Sequence, residues 1–376
     1  SCESLQQQLA SLQALQASFE SAYDEAIKTG NISEALKLKS EIEIKLENLK
    51  KELFSFEKPL NLQKQYAKQL EILKNTGILE KFNSPPPSLP EINKRLQEKK
   101  ELISRKIEQG FTKLLLVPFG LDLNTLIQTY GELLKQHAKN KTLLDRDGNT
   151  LELNNEKPVW VWDQLQKSID GNSLIYFPKE YTANHGGQTK QEVIARQGSW
   201  QILLLEEDPV IPRVGAGQTI KDRPQLEANK TPIEYLNLLK TDPYKGESGL
   251  TLEDWFTYAI MNLEEKNQVI DDWQNNKDSI SYLLGSYLVS GSVPRACWSR
   301  DGKQANLNAW KPDNHDENVG ARPVVRVYGP VWSDLSQPPS IRPISSSLAW
   351  AWKIFVSLVN PNSKNKRNLS IANSTK

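Results

Sequence analysis

The stretch from Gly291 to Val327, GSVPRACWSRDGKQANLNAWKPDNHDENVGARPVVRV, constrains this chain more than any other. Apolar residues hold its two ends, Val293-Pro294 and Pro323-Val324-Val325. Between them lie Asn, Asp, Arg, Lys, Gln and Trp with little interruption. A segment pinned at both ends, with a polar and aromatic middle, is how a rigid scaffold displays a binding surface. Trp298, Arg300 and Trp310 are of the types that dominate binding hot spots. Asn306, Asn308, Asn314 and Asn318 stand where a packed strand would favour β-branched residues. Asn hydrogen-bonds adaptably while Trp and Arg supply rigid contact area, the mixture of an evolved paratope. Gln304 and His315 complete the candidate ligand-binding set.

The rest of the chain separates into parts. At 376 residues, length favours two or three domains. A hydrophobic content of 38% with 25% charged residues suits a soluble protein with a real core. The formal net charge is +1, so no global field attracts nucleic acid, and no nucleic-acid partner is expected. All ten Trp residues lie beyond Lys157, a compositional shift that supports a domain boundary. Cys2 and Cys297 are too far apart in sequence to read as a disulfide framework or a zinc site. A reducing compartment, and hence the cytoplasm, is the expectation; the chain begins at Ser1, which leaves a removed leader open. No apolar run reaches the length of a membrane span, and the nearest, Leu348 to Val359, is short and carries Lys353.

Residues 4–54 have the spacing of helices. Leu5, Leu9, Leu12, Leu15, Phe19, Tyr23 and Ala26 recur at intervals of three and four. Thr29-Gly30-Asn31 interrupts the stripe, and Ile32, Leu36, Ile42, Leu46, Leu49 and Leu53 resume it. The pattern predicts a helical hairpin or coiled coil that would serve as a spacer, a stalk or a handle for homo-oligomers. A third helix is predicted from Leu62 to Leu79 and a fourth from Glu91 to Gln109. The run Ser84 to Pro90 connects them, with Pro90 opening the fourth.

From Phe111 the texture becomes mixed. Strands are predicted at Lys113–Pro118, Val159–Trp162, Leu174–Phe177 and Trp200–Leu205, and helices at Asn124–Lys139, Thr231–Lys240 and Leu252–Asn267. Leu143 to Leu153 has the pattern of a hairpin turning at Asp147-Gly148. The division is therefore residues 1–110, helical hairpin or coiled coil; 111–330, an α+β domain; and 331–376, a Pro/Ser-rich and then Asn/Ser/Lys-rich tail expected to be weakly ordered.

Arg295-Ala-Cys-Trp298, Ala305-Asn-Leu-Asn-Ala-Trp310 and Asn318-Val-Gly-Ala-Arg322-Pro-Val-Val-Arg-Val327 together resemble the end of a C-type-lectin-fold domain. The branch includes formylglycine-generating-enzyme-like (sulfatase-modifying) domains and the variable proteins of diversity-generating retroelements. The resemblance implies that the closing run, with Arg322, Pro323 and Val325, is the last core strand, and that the segment before it binds ligands. Its enzyme branch needs a redox-active Cys pair near this end, and only Cys297 is here. Its calcium-dependent sugar-binding branch places acidic or amide ligands where this chain has Lys311-Pro312-Asp313-Asn314. The three His residues have no paired spacing for a metal. Asp145-x-Asp147-x-Asn149 imitates a calcium loop but has Thr150 where Gly is needed. Val214-Gly-Ala-Gly lacks the ending of a phosphate loop.

The expectation is thus a non-enzymatic binding protein, without cofactor or metal, whose partner is a protein or cell-surface ligand. Ligand contacts are assigned to Trp298, Arg300, Gln304, Asn306, Asn308, Trp310, Asn314, His315 and Asn318. The alternatives are an enzyme of the formylglycine-generating type and a structural protein assembled through its helices.

Overall fold

The computed structural model describes residues 2–29, 33–53, 56–208 and 210–327. The 331–376 tail, with Leu348–Val359, lies outside the described residues. The chain divides between Leu49 and Lys50, and the described residues beyond that point form one compact unit.

Before the division run α1 (Cys2–Thr29) and most of α2 (Ser33–Leu53), as the Leu spacing predicts. The second unit continues with α3 (Glu57–Leu60), α4 (Leu62–Asn75), α5 (Ile78–Lys81), α6 (Leu89–Glu98) and α7 (Lys100–Glu108). Two predicted helices are therefore each broken in two. Gly77, at φ 71, stops α4, because the left-handed region is open to glycine at little cost. Lys99 leaves helical geometry between α6 and α7. Ser88 and Glu91 form a capping box that starts α6, with Pro90 in its first turn.

The remaining elements are mixed α+β. The strands are β1 (Phe111–Val117), β2 (Val159–Val161), β3 (Leu174–Tyr176), β4 (Gln201–Glu206), β5 (Thr219–Ile220), β6 (Arg223–Pro224), β7 (Glu247–Gly249), β8 (Ile280–Tyr282), β9 (Ser286–Leu288), β10 (Val293–Ser299), β11 (Gln304–Trp310), β12 (Val319–Ala321) and β13 (Pro323–Arg326). The helices are α8 (Leu123–Lys139), α9 (Asp163–Asp170), α10 (Lys190–Gln197), α11 (Pro232–Leu238) and α12 (Leu252–Lys266). Capping boxes at Thr189, Thr231 and Thr251 start three of them. The predicted Leu143–Leu153 hairpin is reduced to a turn with one bridge, Leu144 to Thr150. Asp145 Oδ1 accepts from the amides of Asp147 and Asn149 there, so this carboxylate shapes the turn.

A four-stranded sheet runs β1-β4-β13-β7 and a five-stranded sheet runs β12-β8-β10-β11-β2. Arg322 alone separates β12, in the second sheet, from β13, in the first. Helix α12 is buried on every side from Leu252 to Leu263, as a helix at the centre of a core must be. The main core gathers α12, α8, the four-stranded sheet and one face of the five-stranded sheet.

Helices α3 to α7 belong to that same core, through Leu62, Leu73, Ile78, Ile92, Leu96 and Ile103. This moves the expected division at residue 110 to residue 49. Leucine and isoleucine burial is worth roughly 1.5–3 kcal/mol each, so these helices contribute to the domain's own stability. They also finish a sheet. Strand β1 is an edge strand, and α4 lays Gln65 and Gln69, one turn apart, along it. Gln65 accepts from Leu114 N at 2.9 Å and donates to Thr112 O at 2.8 Å. Gln69 accepts from Leu116 N at 2.8 Å and donates to Leu114 O at 2.6 Å. The two amides thus stand in for a neighbouring strand and leave no open edge there. Further along, Lys106 on α7 places Nζ 2.5 Å from Glu247 Oε1, both fully buried, and Arg223 pairs with the same carboxylate.

A candidate ligand-binding face

The polar segment is not a loop. Its first half forms a hairpin of two seven-residue strands, β10 and β11, inside the five-stranded sheet. Val293 pairs with Trp310, Arg295 with Asn308, Cys297 with Asn306 and Ser299 with Gln304. Strand side chains alternate between faces. Ala296, Trp298, Ala305 and Leu307 therefore point into the main core. Arg295, Cys297, Ser299, Gln304, Asn306, Asn308 and Trp310 share the opposite face.

That opposite face has a second core over only part of its width. Ile280, Tyr282, Val319 and Ala321 from β8 and β12, with Val293 and Cys297 from β10, pack against Tyr235, Leu236 and Leu239 of the α11 region. The cluster ends with Trp310 partly buried at its edge. Beyond it, Gln304, Asn306, Asn308, Arg295 and Trp310 are all half-buried. Strand β2 completes this part of the face. It runs parallel to β11 with Trp160 beside Asn306, and Trp160 is half-buried too. Four strand residues separate the levels of Trp160 and Trp310, about 13 Å at the usual rise.

The side chains on this face hold one another. The Arg295 guanidinium lies 3.3 Å from the centre of the Trp310 ring. Arg295 Nε donates to Asn308 Oδ1 at 2.5 Å, and Asn308 Nδ2 donates to Asn306 Oδ1 at 3.3 Å. Lys157 Nζ stands 5.7 Å from the Trp160 ring. Asn154 Nδ2 donates to Gln304 Oε1 at 3.5 Å. Amide and cation–π contacts of this kind orient side chains that still meet solvent. Between them, burial pushes the Cys297 thiol up to about 12, with the nearby Asp271 and Asp272 adding to it and Arg295 opposing it, so it stays protonated at neutral pH.

The expected contact residues divide. Gln304, Asn306, Asn308 and Trp310 come together in one row on this face. Trp298 does not; it is 1% exposed in the main core, because its strand position has the other parity. Arg300 sits at the hairpin turn and is committed elsewhere. Its Nε donates to both Asp272 carboxylate oxygens at 3.0 and 3.1 Å, and its Nη2 donates to Asp272 at 2.6 Å and Asp145 at 2.9 Å. Asn318 donates from Nδ2 to Asp316 Oδ1 at 2.9 Å and accepts from Arg213, which shapes the loop before β12. Asn314 and His315 are exposed in that loop, where His315 Nδ1 lies 3.1 Å from Asn229 Oδ1. Two members of the face, Trp160 and Arg295, are not among the expected residues. The alternation Val159-Trp160-Val161 was the available signal for the first. Nothing local to the sequence announced the second.

A buried charge cluster lies where the chain crosses between the two sheets at Arg322. Arg322 Nη2 donates to Asp271 Oδ1 at 2.6 Å, and Trp255 Nε1 donates to Asp271 Oδ2 at 2.7 Å. Asp278 accepts from the amides of Ile211 and Ser279. Burial, and then the charge of Asp271, raise its carboxyl to about 7. Among the described residues no group of three or more His, Cys, Asp or Glu side chains could hold a metal ion. No described helix is long and apolar enough to cross a membrane.

Compared with protein-family models, with curated proteins and with solved structures, the chain matches none.

Proposed function

We propose that the protein is a non-catalytic binding protein that presents the β10–β11–β2 face to a protein or cell-surface ligand on a C-type-lectin-like scaffold. One observation carries the reading. Asn306 and Asn308 occupy outward positions of a sheet-interior strand, between Trp160 and Trp310, where folding alone favours β-branched side chains. A fold that departs from local preference at one cluster of accessible positions has a reason outside folding. The scaffold reading is supported by the passage of the chain from one sheet to the other at Arg322 and by two long helices, α8 and α12, in the core between. The protonated, buried Cys297 disfavours a thiol-dependent enzyme at this site. Helices α1 and α2 suit a stalk or an oligomerisation handle in this reading.

The sharper form is that a retroelement diversifies the face. Sequencing the segment encoding residues 290–330 across a natural population tests it. Substitutions concentrated at 304, 306, 308 and 310, with Trp298, Leu307 and Arg322 fixed, support diversification. Equal variation at exposed and core positions, or none, overturns it, leaving a face of fixed specificity.

A further inference from the structure

The open face carries a cation without an anion. Arg223, Arg300, Arg322 and Arg326 each have a carboxylate in ion-pair contact. Among the described residues, no carboxylate lies within ion-pair distance of Arg295, and nothing accepts from its two Nη groups. Burial lowers its pKa, and the more distant charge of Asp316 does not offset that. A guanidinium nevertheless keeps its charge at any pH at which the protein is folded. Its orientation is set as well. The Trp310 ring lies against the group at 3.3 Å, and Asn308 holds Nε. The Nη edge is left as a two-pronged donor, the geometry that matches a carboxylate with two parallel hydrogen bonds.

We propose that Arg295 is the receptor for a carboxylate on an acidic peptide segment of the partner. The inference rests on the reading of this face as a binding surface and names what that surface recognises. The amides of Asn306 and Gln304 continue from Arg295 along the strand direction, suited to the polar groups of an extended chain. Lys157, over Trp160, supplies a second cation at the other end. The interval of about 13 Å between the two tryptophan levels is that of four residues of extended peptide. Charge complementarity therefore favours a segment with acidic residues four apart. Asp316, the carboxylate that influences Arg295 from beyond ion-pair distance, accepts a 2.9 Å hydrogen bond from Asn318 Nδ2.

The test uses the full chain with 15N-labelled tryptophan, the Trp160 and Trp310 indole signals being assigned with Trp160→Phe and Trp310→Phe. The probes are terminally blocked hexaglutamate, hexaglutamine and inorganic phosphate at low salt. Hexaglutamate is expected to move the Trp310 signal and to bind at least tenfold more tightly than hexaglutamine. Arg295→Gln should abolish that tenfold preference. Arg295→Lys should lose most of it, since lysine keeps the charge but not the fork. Equal binding of the two peptides at Trp310 overturns the carboxylate assignment while leaving the binding face standing. Binding of phosphate but not glutamate, or a preference unchanged in Arg295→Gln, also overturns it. Silence of both indoles to all three probes overturns it as well, and the binding face is then judged on its own experiment. The peptide comparison on the native chain keeps the test decisive should a variant fail to fold.

Discussion

Gln69 donates its side-chain amide to the carbonyl of Leu114 at 2.6 Å, across the edge of a sheet to which it does not belong. With the return bond from Leu116 N, one helical side chain satisfies two groups of an edge strand. This ties α4 to the β domain, as the buried residues of α3 to α7 do for those helices. Replacing Gln69 by Met keeps its volume and removes both bonds. Two buried backbone groups without partners cost roughly 1–3 kcal/mol each. Urea denaturation of Gln69→Met should therefore show a loss of about 2–6 kcal/mol. An unchanged midpoint would mean that solvent replaces the glutamine freely.

Arg322 and Asp271 lock the crossing from the five-stranded to the four-stranded sheet. Removing one partner of a buried pair leaves an uncompensated charge, at a cost of about 3–5 kcal/mol. Arg322→Met should lose that much in denaturant titration. Replacing Arg322 and Asp271 together by Met and Leu should lose less than Arg322→Met alone.

Asp278 gives the fold a pH dependence of definite sign. Its folded carboxyl titrates at about 7, above the ordinary aspartate range, because burial and Asp271 disfavour the charge. Arg322 opposes the shift but does not cancel it. The folded state thus binds the proton more tightly than the unfolded chain. Stability from this group is fully present below the unfolded pKa and is lost as pH rises towards and through 7. Thermal unfolding from pH 5 to 8 should show the melting temperature falling, and Asp278→Asn should flatten the slope.

The two tryptophans of the hairpin should behave oppositely. Trp298→Ala opens the main core and should cost about 3–5 kcal/mol. Trp310→Ala should cost less in stability, since its ring is partly exposed beneath Arg295, and more in binding to any partner of the face. Denaturation and binding titrations of both variants check the contrast.

The sequence made the helical stripes, the mixed α+β texture and the polar character of residues 304–310 legible, because each is a local pattern. Trp298 escapes this legibility, because a polar insert between apolar ends carries no facing rule for its side chains. Taken as a strand, the alternation Ala305, Leu307, Ala309 against Gln304, Asn306, Asn308, Trp310 sorts the faces at once. For Trp160 the local alternation Val159-Trp160-Val161 sorts the face but not the neighbour. Its place beside Asn306 depends on a parallel pairing between residues about 150 positions apart, which no local pattern encodes. The same holds for Arg300, whose partner Asp145 lies in a turn that looks like a surface feature.

The central claim is that Asn306 and Asn308 serve a ligand and not the fold. The most direct test is urea denaturation of the double variant Asn306→Val, Asn308→Thr. Strand preference predicts stability unchanged or raised, within about 1 kcal/mol, since β-branched residues suit these positions better. A loss well beyond about 1 kcal/mol would show that the amides hold the sheet together, and would contradict the assignment of this face to binding.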